Sequence, residues 1–236
     1  MVFRMSLAAL AALLVQVLAV LSIHERGISA KAQAVPIPAT YDGYSQGPAG
    51  AAVHVEFFYD LMCPNCRDSW PAINRTMQHF RNSGDLRITM HTFPLPYHHN
   101  AFLVAQVAHA LGENKIWDWM EVIYANQEKF GNAATADMTR EEVQAALGDL
   151  AENHGLPRDV VLNGLKSSDV DQATRVSWKY ACYRGVSGTP TYLVNGVPAP
   201  TEAGGWSSTQ WIRFIDQIRA QGVSQDIFHP NSAVQS

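Results

Sequence analysis

"VEFFYDLMCPNC", Val55 to Cys66, is an apolar, aromatic run that reads as a buried strand and ends in two cysteines with two residues between them. A strand that delivers its chain to a thiol pair has three explanations: half a metal site, a small structural disulfide, or a redox centre at the edge of a sheet. Cys63 falls where the strand hands over to a helix. Pro64 suits the first helical position, where its missing N–H is not needed. A sulfur at that point faces unpaired backbone N–H groups and the positive end of the helix dipole, and both favour thiolate over thiol. Cys63 is therefore the expected nucleophile. Cys66 lies three residues on, on the same helix face, with its Cβ about 5–6 Å away, within reach of a disulfide. It is the expected resolving thiol and the more shielded one. Zinc would need two more ligands; a second C-x-x-C is lacking, and Cys182, His98 and His99 are candidates only by default.

Working outward, Ala51–Phe58 is predicted as a strand, Cys63–Asn82 as a helix that Pro71 should kink, and "LRITMHTF", Leu86–Phe93, as a second strand. A β-α-β unit implies a parallel pair with a right-handed crossover. Then the period changes. "NAFLVAQVAHALG" runs from an N-cap Asn100 to Gly112, and a second helix runs from Asn114 to Gly131. A third opens on the capping box Thr139 and Glu142, and Pro157 and Ser168 open two more. In "SGTPTYLVNGVPAP", Tyr192–Val194 and Val197 flank Asn195-Gly196, a strong hairpin signal. "SSTQWIRFIDQIRAQG" closes the pattern as an amphipathic helix. The expected fold class is α/β: a sheet-bearing domain over 51–97 and 186–222, interrupted by a helical domain over 98–185. An extended lead-in, 33–50, precedes it and a tail, 223–236, follows.

The first 32 residues read separately. Leu7–Leu21 is apolar except for Gln16 and follows Arg4, the pattern of a secretory signal, with small-residue cleavage sites after Ala32 or Ala34. An uncleaved membrane anchor is the alternative, although the stretch is shorter than the ~20 residues a spanning helix needs. Either reading places the protein in a secretory or periplasm-like oxidising compartment, or tethered facing it. Cutting after Ala32 removes Arg4, Arg26, Lys31 and Glu25 from 17 basic and 21 acidic side chains, leaving 14 and 20, net −6. That charge gives no electrostatic case for nucleic acid. With 47% hydrophobic residues the chain is too apolar for disorder. Three cysteines are too few for a disulfide scaffold. In an oxidising compartment, a lone close pair points to chemistry.

Strand, "CPNC", Pro71 eight positions after Cys63, a helical insert, then "GTPT" and "YLVNG" together resemble the thioredoxin superfamily over roughly Val53–Gln221. The helical insert after "FPLPYHHNAF" is similar to that of the DsbA-like thiol–disulfide oxidoreductases. The resemblance implies a thioredoxin-like fold, a redox disulfide Cys63–Cys66, and a cis peptide at Thr189–Pro190 packed beside the cysteines. Pro190 would keep metals off the thiols, and the Thr189 backbone would pair with an extended substrate peptide. Neither metal nor organic cofactor is implied. The partners would be protein thiols and disulfides and a redox partner that the sequence does not identify. A redox-silent peptide-binding module, with the cysteines merely stapling the helix, is the alternative.

Two departures limit what carries over. These families place a buried acid six positions before the first cysteine, and here that position is Phe57. Glu56 lies one residue further back, on the other side of a regular strand unless a bulge restores it, and Asp60 reads first as a turn residue. Between the cysteines stand Pro64 and Asn65, where DsbA has Pro-His and thioredoxin Gly-Pro; Asn65 brings a dipole and no charge, so extreme oxidising power is not implied.

The remaining conspicuous residues have bland readings first. His98 and His99 are expected to be solvated or capping, Trp117, Trp119, Tyr124 and Phe130 to be core, and Cys182 to be a small buried hydrophobe. "NRT", Asn74–Thr76, is the only glycosylation sequon.

Overall fold

The seven residues of β2 (Val53–Tyr59) are buried on both sides of the strand, His54 excepted. That pattern belongs to a central strand covered by helices on two faces. The computed structural model describes residues 41–226, all within the compact unit that spans 37–236. The expected signal or anchor, the lead-in up to residue 40 and tail residues 227–236 lie outside the described residues.

The sheet has the order β1-β3-β2-β4-β5. β2 pairs in parallel with β3 (Leu86–Thr92), and α1 (Pro64–Phe80) connects them. β4 (Thr191–Val194) lies antiparallel on the other side of β2 and continues into the two-residue β5 (Val197–Pro198). Asn195 and Gly196 both take positive φ, 49° and 80°, as a two-residue hairpin loop of type I′ requires. The sequence reading missed β1 (Tyr44–Gln46), a three-residue strand inside the lead-in that pairs antiparallel with β3. It is bracketed by Gly43 and Gly47, both with φ near +90°, and is too short to show alternation.

The pleat sorts β2 into two cores. Val53, Val55, Phe57 and Tyr59 join the larger core together with Cys63, Cys66, Trp70 and Trp211. Phe58 joins a smaller one with Phe93, Leu95, Ala181 and Leu193. α7 (Ser208–Asp226) packs on α1 and brings Trp211 and Ile215 into the larger core. Pro71 sits within α1, where it withholds the N–H that Arg67 would otherwise bond.

Between β3 and β4 run α2 (Ala101–Leu111), α3 (Ile116–Asn126), α4 (Arg140–Asn153), α5 (Arg158–Lys166) and α6 (Ser168–Tyr183). Trp119, Tyr124 and Phe130 are buried and Trp117 partly so. The helix expected to reach Gly131 tightens at Gln127 into a 3-10 turn. The Thr139–Glu142 capping box forms reciprocally. Asn100 does not cap α2: its amide turns inward and donates to the Phe130 carbonyl and Thr135 Oγ1 at 2.9 and 2.8 Å. Pro157 precedes α5 as its cap residue.

Cys182 is exposed rather than buried. The face that α6 turns inward carries Thr174, Ser177 and Ala181; Cys182 lies one position off it, on the side of the exposed Trp178 and Tyr183.

α5 and α2 meet at Gly164, where an added Cβ would fall 2.2 Å from Ala110 Cβ. Gly164→Ala should lower stability by about 1–3 kcal/mol, the usual range for overpacking. Urea unfolding measures this; an unchanged midpoint would show that the two helices are free to part.

Candidate active site

The turn that presents Cys63 is built by Asp60. Its carbonyl accepts the Cys63 N–H at 3.0 Å, and its Oδ1 accepts the Met62 N–H at 2.8 Å. Gln127, from the 3-10 turn of the helical segment, donates Nε2 to the carbonyls of both Leu61 and Cys63, at 3.0 and 3.1 Å. Cys63 thus occupies the cap position of α1 with extended backbone (φ −79°, ψ 124°), no capping side chain and no acidic residue in the first turn. Cys66 is fully buried on the same face.

The two sulfurs hold protons with opposite strength. A hydrogen bond from the Cys66 thiol is the largest influence on Cys63 and outweighs partial burial. The Thr189 side chain and the backbone N–H groups of Cys66 and Asn65 add to it, bringing Cys63 from a usual value of 9 down to about 5. Burial pushes Cys66 well up, and the neighbouring Cys63 pushes it further. The resting reduced pair is a thiolate beside a thiol.

Thr189 and Pro190 stand against this pair, 126 residues from Cys63 in sequence. Their peptide bond is cis, and the Cys63 Sγ, when protonated, donates to the Thr189 carbonyl at 3.6 Å. The Thr189 hydroxyl is buried without another partner, so it is free to donate to the thiolate. The 3-10 turn Thr201–Gly205 packs on Pro190. It forms a cleft of about 630 Å³ with Asn65, Ser69, Pro190, Glu202 and Trp206. Pro64 is exposed at the first position of α1 and lines a second cleft, on the side of the helical segment. Beneath the pair, Tyr59 OH bonds Ser69 Oγ at 2.8 Å and Tyr192 OH at 2.7 Å, and Ser69 Oγ donates to the Cys66 carbonyl at 3.0 Å.

Glu56 is not part of this site. The β2–β3 register runs unbroken from Val53↔Leu86 to Tyr59↔Thr92, so no bulge turns Glu56 toward the thiols. On the opposite face, its Oε2 accepts from Arg184 at 2.9 Å and its Oε1 from Tyr180 OH at 3.3 Å. His91 Nε2 stands 3.5 Å from it and uses Nδ1 on Asp42 Oδ2 at 2.7 Å.

His98 is not merely solvated or capping. Its Nδ1 meets Asp60 Oδ2 at 2.5 Å, and the same oxygen accepts the Leu95 N–H at 3.1 Å. The partners lie 38 residues apart, and nothing in the local pattern of either signals the contact. His99 sits elsewhere; its backbone N–H donates to Asn132. Asn74 lies mid-helix with its amide on Glu121 at 2.9 Å, and the Thr76 hydroxyl is buried on the Ala72 carbonyl, so "NRT" is not the exposed loop a sequon implies. Among the described residues no group of three or more His, Cys, Asp or Glu side chains is arranged to hold a metal ion.

Exposed Cys182 competes with Cys63 for any reagent, but its thiol is shifted up from 9, chiefly by burial of the sulfur. At pH 6 its thiolate fraction is about 10⁻³ or less, whereas Cys63 is mostly ionised. The lower nucleophilicity of a low-pKa thiolate returns about a hundredfold of that difference. Iodoacetamide at pH 6 should therefore label Cys63 roughly tenfold faster than Cys182, as read by peptide mass spectrometry. Dominant labelling of Cys182 would overturn the ranking.

The sequence model of the family described as Thioredoxin matches residues 40–216. No curated protein matches the chain in sequence. Among solved structures, alpha-DsbA1 of Wolbachia pipientis superposes with a TM-score of 0.64 at 13% identity, over 84% of this chain and 99% of its own. BdbD of Bacillus subtilis gives 0.57 at 17% identity, over 75% and 98%. DsbA of Chlamydia trachomatis gives 0.57 at 17%, over 79% and 96%. At these identities the likeness is one of fold: a mixed α/β architecture with helices inserted before the last strand pair.

Proposed function

Since the chain belongs to the thioredoxin family, we propose that it is a thiol–disulfide oxidoreductase acting on protein thiols and disulfides through Cys63 and Cys66. The observation that carries this reading is the contrast between the two sulfurs: one held as thiolate near pKa 5 at a helix start, the other buried and protonated three residues on.

In the reducing direction the Cys63 thiolate attacks a substrate disulfide, one substrate sulfur leaves with the electron pair, and a mixed disulfide forms at Cys63. Cys66 then loses its proton and attacks Cys63 Sγ; the second substrate sulfur leaves and the Cys63–Cys66 disulfide forms. In the oxidising direction a substrate thiolate attacks Cys63 in that disulfide and Cys66 is the leaving group. Thr189 offers its backbone to an extended client chain beside the nucleophile, and the cleft against Trp206 and Pro190 accommodates the client's side chains. The apolar segment Leu7–Leu21 supports delivery to an oxidising compartment. No helix among the described residues is long and apolar enough to cross a membrane.

The test uses two reactions: reduction of insulin by the dithiol form and oxidation of a reduced dithiol peptide by the disulfide form. Activity in either that is lost when both cysteines become serine supports the reading. Absence of both in the wild type refutes it. Equilibration with glutathione buffers then gives the potential, which fixes the direction in a given compartment.

A further inference from the structure

Cys66 must give up a proton before it attacks, yet it has no exposed surface. A thiol is not a nucleophile until that proton has somewhere to go. The strand position closest in sequence register to a buried acid is Phe57, and Glu56 is engaged with Arg184, Tyr180 and His91 behind the sheet. Neither serves Cys66.

The loop before Cys63 contains another acid. Asp60 is completely buried, and its Oδ2 is bound to His98 Nδ1. The His98 side chain is 21% exposed and forms a wall of a cleft of about 320 Å³ with Met62, Pro64, Arg67, Gln127 and Glu128. The pair therefore runs from the interior to solvent. On the inner side, the Tyr124 phenol is buried with no hydrogen-bond partner among the described residues. It lies within electrostatic reach of Cys66, Asp60 and Cys63. An unsatisfied buried hydroxyl is costly, and its place beside two sulfurs and a carboxylate gives it a use.

We propose that Tyr124, Asp60 and His98 form the proton exit of Cys66, leading from the buried thiol to the cleft on the side of the helical segment. This rests on the oxidoreductase reading. During resolution, the Cys66 proton passes to the Tyr124 oxygen as the phenolic proton passes to the Asp60–His98 pair, which releases it to water in the cleft. The Cys66 thiolate attacks Cys63 Sγ, the bond from Cys63 to the substrate sulfur breaks, and that sulfur leaves with the electron pair. In the opposite direction the pair returns the proton to Cys66 as it leaves. Asp60 and His98 touch neither sulfur and act through the phenol.

A purely structural role is the competing explanation for Asp60, because its bonds to Met62 and Leu95 hold the turn. His98 is not needed for either bond, so it separates the two explanations. The other ionisable groups around the route are the Tyr59 and Tyr192 phenols, raised by burial, and Arg67 and Glu128 at the cleft.

In a Cys182→Ser background, the reduced protein is mixed with excess dithiobis(nitrobenzoate). It should release one thionitrobenzoate as Cys63 is capped and a second as Cys66 displaces the cap. The rate of the second phase is followed from pH 5 to 9 by stopped flow. His98→Gln should slow it about tenfold or more below pH 7 and converge on the parent at pH 9, where hydroxide suffices. Imidazole added to His98→Gly should restore the rate, with saturation. Asp60→Asn should follow His98→Gln where it folds. A parent profile in both His98 variants, or no rescue, overturns the proton exit alone. A parent that never shows the second phase overturns the oxidoreductase reading, and the exit with it.

Discussion

Cys63→Ser should abolish thiol–disulfide exchange, with turnover falling by about three orders of magnitude or more, as for loss of any covalent nucleophile. Cys66→Ser should do something different. The nucleophile survives, with less thiolate character because the Cys66 hydrogen bond is its largest support. Mixed disulfides still form at Cys63 but nothing resolves them, so client adducts should accumulate on a non-reducing gel and disappear with dithiothreitol. Serine at 63 should give none. Adducts that require Cys66 instead would reverse the two roles.

Glu56→Gln should cost about 3 kcal/mol of stability at pH 7, without touching the thiols. Burial alone would raise the Glu56 carboxyl, but its hydrogen bond to His91 and the Arg184 charge overcome that and hold it near 2, against 4.5 for a free side chain. At about 1.4 kcal/mol per unit this is a loss of roughly 3 kcal/mol. A depressed carboxylate contributes fully above its unfolded value and loses the contribution as pH falls through the folded one. The gap between wild type and variant should therefore be complete above about pH 4.5 and narrow toward pH 2. His91 runs the other way: the bonds to Asp42 and Glu56 raise it despite burial. Its contribution is present below pH 6.5 and lost as pH rises through its folded value. Urea unfolding at several pH values measures both. A gap that persists unchanged at pH 2 would remove the ion pair from the explanation.

The thiol pair, the strand before it and the hairpin after Pro190 were legible because each is encoded within a few residues. Pro64 and the two cysteines fix a helix start, and Asn195-Gly196 fixes a turn. Phe57 and Glu56 were readable as facing opposite ways from strand parity alone, and the unbroken register of β2 leaves that parity intact. The sequence did not reveal pairings between distant segments. Asp60 read as a turn residue, and it is one; that His98 closes on its second oxygen depends on how the chain after β3 returns to the loop. Gln127 gave no signal, because an amide bonding two carbonyls has no spacing rule. Cys182 was misplaced because the inward face of α6 is made of Thr174, Ser177 and Ala181, polar and small residues that a search for apolar periodicity passes over.

The ends of the sheet have a consequence for a molecule that handles unfolded chains. Any such chain is a prospective extra strand, and an open ladder invites it to anneal and stay. Here the outermost strands are three and two residues long. β1 stops at Gly47, where a side chain would fall 2.1 Å from the Leu86 carbonyl oxygen, and β5 contains Pro198, which has no N–H to offer. Clients that arrive in an extended form find little template at either margin. Their foothold is the backbone at Thr189, a contact a few residues long beside a bond that breaks each cycle, so visits stay brief and the sheet does not seed aggregates.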